Sequence, residues 1–136
     1  NRIGGGAGCN GCHNAPEFDI DPNTGNNGVI GRIPPGVGID ITVTRAPSLR
    51  DVTNGLGLEN GALMHTANLL TLQNAVGHYN TINIAPGNTN LDPRLRPNGQ
   101  GQKLNFTGAE MAGIIAFLKT LSGNNVYTDV KWSSPF

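Results

Sequence analysis

The chain has 136 residues with nine basic and nine acidic side chains, a balance that offers no basic field to nucleic acid and no acidic tail to a cationic partner. The length suits one domain, residues 1–136, and no stretch approaches the roughly 20 apolar residues of a membrane span. Only 13% of residues are charged and 5% aromatic, against 20 glycines and 9 prolines. That mixture predicts a loop-rich chain with a thin core of its own, to which some bound group would add apolar mass.

The opening "NRIGGGAGC" has no apolar h-region and reads as a mature or trimmed chain. It leads into Cys9-Asn10-Gly11-Cys12-His13, the C-x-x-C-H pattern of c-type haem attachment. The spacing has a mechanical basis. Two thiols three residues apart on a tight turn reach the two vinyl groups along one porphyrin edge, and the next residue, His13, falls under the iron as proximal ligand. Glycines at 4–6, 8 and 11 let backbone pass close to a flat group. A zinc site would need further Cys or His at ligand spacing, and a thioredoxin-like dithiol would follow a strand in a βαβ pattern; neither context is present. One covalent haem c is therefore expected. Because such attachment takes place outside the cytoplasm, so is a periplasmic or extracellular location.

Asp19, Asp21 and Asn23 alternate like the start of a calcium loop, but no Glu closes a 12-residue frame, so Asx turns are the preferred reading. In "TRAPSLRDVTNG", Pro47 suits the first turn of a short helix. "TLQNAVGHY" predicts a helix capped by Thr71, with Leu72, Ala75, Val76 and Tyr79 on one face. Residues 80–106 show little periodicity and suit a loop wrapped over a haem face. "TGAEMAGIIAFLKTLSG" predicts the clearest helix. Thr107 and Glu110 form its capping box, Met111, Ile114, Ile115, Leu118 and Leu121 its apolar stripe, and Gly123 its stop. The irregular tail, 124–136, carries Tyr127, Trp132 and Phe136. It is expected to pack on the domain, with contact to a partner or a second copy as the alternative.

The second axial position decides what such a site does. Met64, Met111, His65, His78 and Tyr79 are the candidates. Met111 lies on the helix stripe and reads as core, and the two histidines read as surface or propionate-contacting residues. Met64, in "GALMHTANL", and Tyr79, closing its helix, both suit an approach to iron, and the residues alone leave the choice open. Arg45 and Arg50 are candidates for the haem propionates, since arginine presents a planar fork to carboxylates.

The segments "GCNGCH" (8–13), "TRAPSLRDV" (44–52), "GALMHTANLLTLQNAVGHYN" (61–80), "LDPRL" (91–95) and "TGAEMAGIIAFLKTLSG" (107–123), taken in order, resemble the C-terminal haem domain of the dihaem cytochrome c peroxidase and MauG superfamily. The resemblance implies a mostly α, class I cytochrome c-like haem domain with short helices and long loops. It implies electron transfer through a six-coordinate haem, with another redox protein or haem domain as partner. Its distal ligand, the residue just after the "TLxxAV" helix, falls on Tyr79, with Met64 as the alternative, and Arg45 matches its propionate motif. The enzymatic alternative is a peroxidase-type domain acting with a second haem domain. The chain departs from the family in having one C-x-x-C-H rather than two, and in reading "MHTAN" where the family commonly has "HDG" or "HSG".

Overall fold

A computed structural model describes residues 8–18, 25–32, 36–42, 46–123 and 130. Two α-helices form within them, α1 over Leu72–Asn80 and α2 over Gly108–Thr120. Helix α1 starts at Thr71, whose hydroxyl accepts the Asn74 N–H at 3.1 Å. Helix α2 starts at a reciprocal capping box. Thr107 Oγ1 accepts the Glu110 N–H at 3.3 Å, and the Glu110 carboxylate accepts the Thr107 N–H at 2.8 Å. The box also holds the exposed Glu110 carboxyl below its ordinary pKa, through the backbone and side-chain hydrogen bonds of Thr107.

Leu72 and Val76 of α1 meet Leu118 of α2 in a small buried cluster. Leu49, Val52, Leu63, Met111, Ile114, Ile115 and Leu121 pack around it half-buried. The predicted apolar stripe of α2 is thus the face turned to α1, although only Leu118 on it is fully buried. Because α2 supplies Leu118 to this cluster and Met111, Ile114 and Ile115 around it, its cap matters to the whole chain. Thr107→Ala is expected to lower stability by about 1 kcal/mol, read as an earlier urea midpoint with unchanged slope. Thr107→Ser, which keeps the acceptor, should restore most of it.

The expected mostly α, class I cytochrome c-like architecture is not what forms. The helices have nine and thirteen residues, and outside them the described residues hold three short 3-10 turns, isolated β-bridges and loops. The physical reason lies in how the backbone is satisfied. Asn27, Asp40, Asn54, Asn88 and Asp92 each accept the N–H two residues on, an arrangement that competes with helix formation. The short helix predicted at Pro47 fails for the same reason. Ser48 Oγ accepts the Arg50 N–H at 3.1 Å while donating to the Glu17 carbonyl at 2.6 Å, and Asp51 then turns left-handed at φ +54°.

Residues 80–106 are ordered by pairing rather than by periodicity. Ile82 N–H donates to Gln102 O at 2.9 Å and Leu104 N–H to Asn80 O at 2.9 Å. The approach is close enough that a Cβ at Gly101 would overlap the Ile82 carbonyl. On the other side of the loop, Asn26 bridges to Leu91 in parallel, with Asn26 N–H donating to Asn90 O at 2.9 Å and Asp92 N–H to Asn26 O at 3.0 Å. The fully buried Asn26 side chain is satisfied by a reciprocal amide pair with Asn88, at 2.8 and 2.9 Å. Ile82 and Leu91, among the most deeply buried side chains described, seal this second layer. No helix of the described residues is long and apolar enough to cross a membrane. Asp19, Asp21, Asn23 and Arg45, and the tail aromatics Tyr127, Trp132 and Phe136, lie outside the described residues.

Candidate functional site

The C-x-x-C-H segment folds as one tight turn. Gly8 takes the left-handed conformation at φ +69°, and Cys9–Gly11 form a single 3-10 turn. Cys9 O then accepts both the Cys12 N–H at 3.1 Å and the His13 N–H at 2.8 Å. Neither cysteine is in a disulfide. Desolvation by the surrounding turn pushes the Cys9 thiol up even though the residue is exposed, against a backbone hydrogen bond that lowers it.

His13 Nδ1 lies 3.0 Å from the Phe18 carbonyl oxygen. A carbonyl can only accept, so Nδ1 carries the proton and Nε2 keeps its lone pair. Burial pulls the imidazole below its ordinary value, opposed by the carbonyls of Phe18 and Pro47, and the ring is neutral at neutral pH. A neutral imidazole oriented by a backbone carbonyl is the form in which histidine ligates a metal. The other two histidines differ. His65 Nε2 donates to Gly31 O at 3.2 Å and His78 Nε2 to Asn27 O at 2.8 Å, which commits on each ring the nitrogen that His13 leaves open.

Two arginines secure this turn. Arg50 donates to Pro16 O at 2.7 Å, pairs with Glu17 at 3.0 Å and lies 6.0 Å over the Phe18 ring. It thereby fixes the residue whose carbonyl orients His13. Arg94 donates to the Gly11 carbonyl inside the motif and is itself gripped by Asp92, Nε to Oδ1 and Nη2 to Oδ2, both at 2.9 Å. Burial pushes the Asp92 carboxyl up, but the Arg94 side chain and the N–H groups of Arg94 and Gly25 outweigh it and hold Asp92 below the usual carboxylate range.

The two distal candidates meet at a residue that carries no motif. Asn27 Nδ2 lies 3.2 Å from Met64 Sδ and 3.4 Å from the Tyr79 hydroxyl oxygen. Tyr79 arrives from the end of α1, its own carbonyl accepting from Gln102 Nε2 at 2.6 Å. Met64 arrives from a tight loop bridged between Leu63 and Leu69, in which Met64 itself is left-handed at φ +65°. A bulky residue held there costs on the order of 1–3 kcal/mol, so the surrounding contacts must fix it. Burial raises the Tyr79 phenol, against the Asn27 hydrogen bond that lowers it, with smaller upward contributions from Cys12 and Cys9. Met111 packs in the core around α1 and α2, as its place on the stripe predicts.

The donor set therefore suits a haem c. Two thiols and an imidazole protonated at Nδ1 share one turn, and an oxygen and a sulfur donor meet at Asn27. Asn27, Arg94 and Asp92 were not visible as site residues in the sequence. "LDPRL" signalled a turn, but nothing in it announced that Arg94 reaches Gly11, 83 residues away along the chain. No family model matches the chain, and comparison with curated proteins and with solved structures returns no match.

Proposed function

We propose that the chain holds one haem c through thioethers from Cys9 and Cys12, with His13 as proximal and Tyr79 as distal iron ligand, and that it passes single electrons to another redox protein or haem domain. The observation that carries this reading is the His13 Nδ1–H committed to the Phe18 carbonyl within the C-x-x-C-H turn, which presents Nε2 as a donor. When bound, haem c supplies a one-electron ferric–ferrous couple. The residues of the chain do the rest. Cys9 and Cys12 fasten the porphyrin edge, Phe18 and Arg50 hold the imidazole in its ligating tautomer, and Arg94 braces the turn at Gly11. Tyr79 would supply a hard oxygen donor, which would favour the ferric state and suit electron transfer rather than peroxide binding. Cys9 and Asn10 are exposed, so the attachment turn offers the surface at which a partner would dock. Such encounters are small and short-lived, generally burying less than about 1,200 Å². Maturation of the thioethers places the protein in the periplasm or outside the cell.

The test is spectroscopic. Protein matured with haem should keep it through denaturation and acid–acetone extraction. Its ferric form should be low-spin and indifferent to cyanide or peroxide. Tyr79→Phe should convert the iron to high spin and remove the phenolate-to-iron charge-transfer band. A high-spin wild type that binds peroxide would sink the electron-transfer reading.

A further inference from the structure

We infer that the Asp92–Arg94 pair sets the reduction potential of the haem, its positive end facing the attachment turn and favouring the ferrous state. The inference rests on the haem reading above and deepens it, since that reading gives Arg94 only the part of a brace. Arg94 Nη1 donates to the Gly11 carbonyl, between Cys9 and Cys12. The stem of the side chain lies against the same turn, where a Cβ at Gly11 would meet Arg94 Cδ at 3.4 Å. Nε and Nη2 of the same fork donate to the two oxygens of Asp92, both at 2.9 Å. The guanidinium therefore stands between the Asp92 carboxylate and the turn that carries the two thiols. Asp92 is itself fixed, accepting from Gly25 N–H at 2.9 Å and Arg94 N–H at 2.8 Å. Its side chain is 3% exposed, so the pair cannot rotate end for end without opening the fold.

The order of the charges decides the sign of their effect. Coulomb energy falls with distance, so at the turn the nearer cation outweighs the farther anion. Reduction adds one electron to the haem, and net positive charge beside it favours the state that holds that electron. Both members carry their charge at neutral pH, since arginine does not deprotonate in proteins and Asp92 lies below the usual carboxylate range. Burial of the carboxylate leaves the pair less screened by salt than an exposed one would be. A pair that served only as a brace would have no such sign, because loosening it from either side would disturb the turn alike.

Removing the two charges one at a time separates these roles. In haem-loaded protein at neutral pH, Arg94→Gln should lower the ferrous-to-ferric ratio at a fixed applied potential by up to about tenfold, which is about 59 mV for one electron. Asp92→Asn keeps an oxygen for the guanidinium and should raise that ratio by a smaller factor, its charge being the farther one. Arg94→Lys keeps the cation without the fork and should stay nearer to wild type than Arg94→Gln. The ferric spin state should be the same in all four proteins. Any result other than opposite shifts in Arg94→Gln and Asp92→Asn, or a shift that comes with a change of spin state, would overturn the electrostatic role while leaving the haem reading intact. Should Arg94→Gln not fold, Asp92→Asn decides alone, and a ratio that falls or does not move overturns it. A wild-type chain that retains no haem after acid–acetone extraction would overturn both.

Discussion

Replacing Cys9 and Cys12 together by alanine is expected to abolish extractant-resistant haem altogether, and to lower the melting temperature by roughly 10 °C or more. Each part follows from a different link of the chain. The thiols are the covalent attachment, so without them only the axial ligands hold the group, and it dissociates. The thermal effect follows from the core. The buried cluster between α1 and α2 has three members, and seven apolar side chains around it are only half-buried. A bound group present at about 1,000 times its dissociation constant adds about 4 kcal/mol to the folded state. For a chain of this size each kcal/mol moves the midpoint by at least about 2–4 °C. The check is a pair of melting curves on matured wild type and variant, with haem content measured beside them. A variant that retains haem after acid–acetone extraction would refute the thioether assignment. The single variants separate the sulfurs: Cys9 is exposed and Cys12 half-buried, and each alone should retain one thioether and a shifted haemochrome band.

Legibility followed the range of the interaction. The caps of α1 and α2 depend on residues three apart, and Thr71, Thr107 and Glu110 stand where the sequence places them. The C-x-x-C-H turn is equally local. The failure at Pro47 was also local, but it turned on a competition: Ser48 offers the backbone a hydrogen bond that propensity does not weigh. The same competition, repeated at Asn and Asp residues along the chain, explains why a mostly α domain was expected and a loop-built one formed. What the sequence could not supply is the set of long-range polar contacts. His13 depends on Phe18, which Arg50 holds across 32 residues, and Tyr79 and Met64 converge only because Asn27 lies between them. Such contacts join single atoms of unlike residues and leave no periodic trace. Arg45, in the propionate motif, lies outside the described residues, so that assignment stays with the motif alone.

Asp92→Ala is expected to cost about 2–4 kcal/mol, since it removes hydrogen bonds to a charged group and leaves buried donors unsatisfied. The Asp92 side chain is 3% exposed and accepts from Gly25 N–H at 2.9 Å, Arg94 N–H at 2.8 Å and two guanidinium nitrogens at 2.9 Å. Arg94 is partly exposed and re-solvates on losing its partner, which keeps the loss below that of a fully buried pair. The same carboxylate makes stability depend on pH. Its folded pKa is depressed below the unfolded value of about 3.9. Its contribution is therefore fully present above that value and is lost as pH falls through it toward the folded pKa. Urea titrations at neutral pH and near pH 3 should show wild type losing more stability between them than Asp92→Asn does. Parallel losses would remove Asp92 from the account. The effect also reaches the site, because Arg94 freed from Asp92 no longer braces Gly11 between the two cysteines. At neutral pH, matured Asp92→Asn should keep its haem but broaden its ferric resonance spectrum, as an attachment turn held at one point fewer samples more than one geometry.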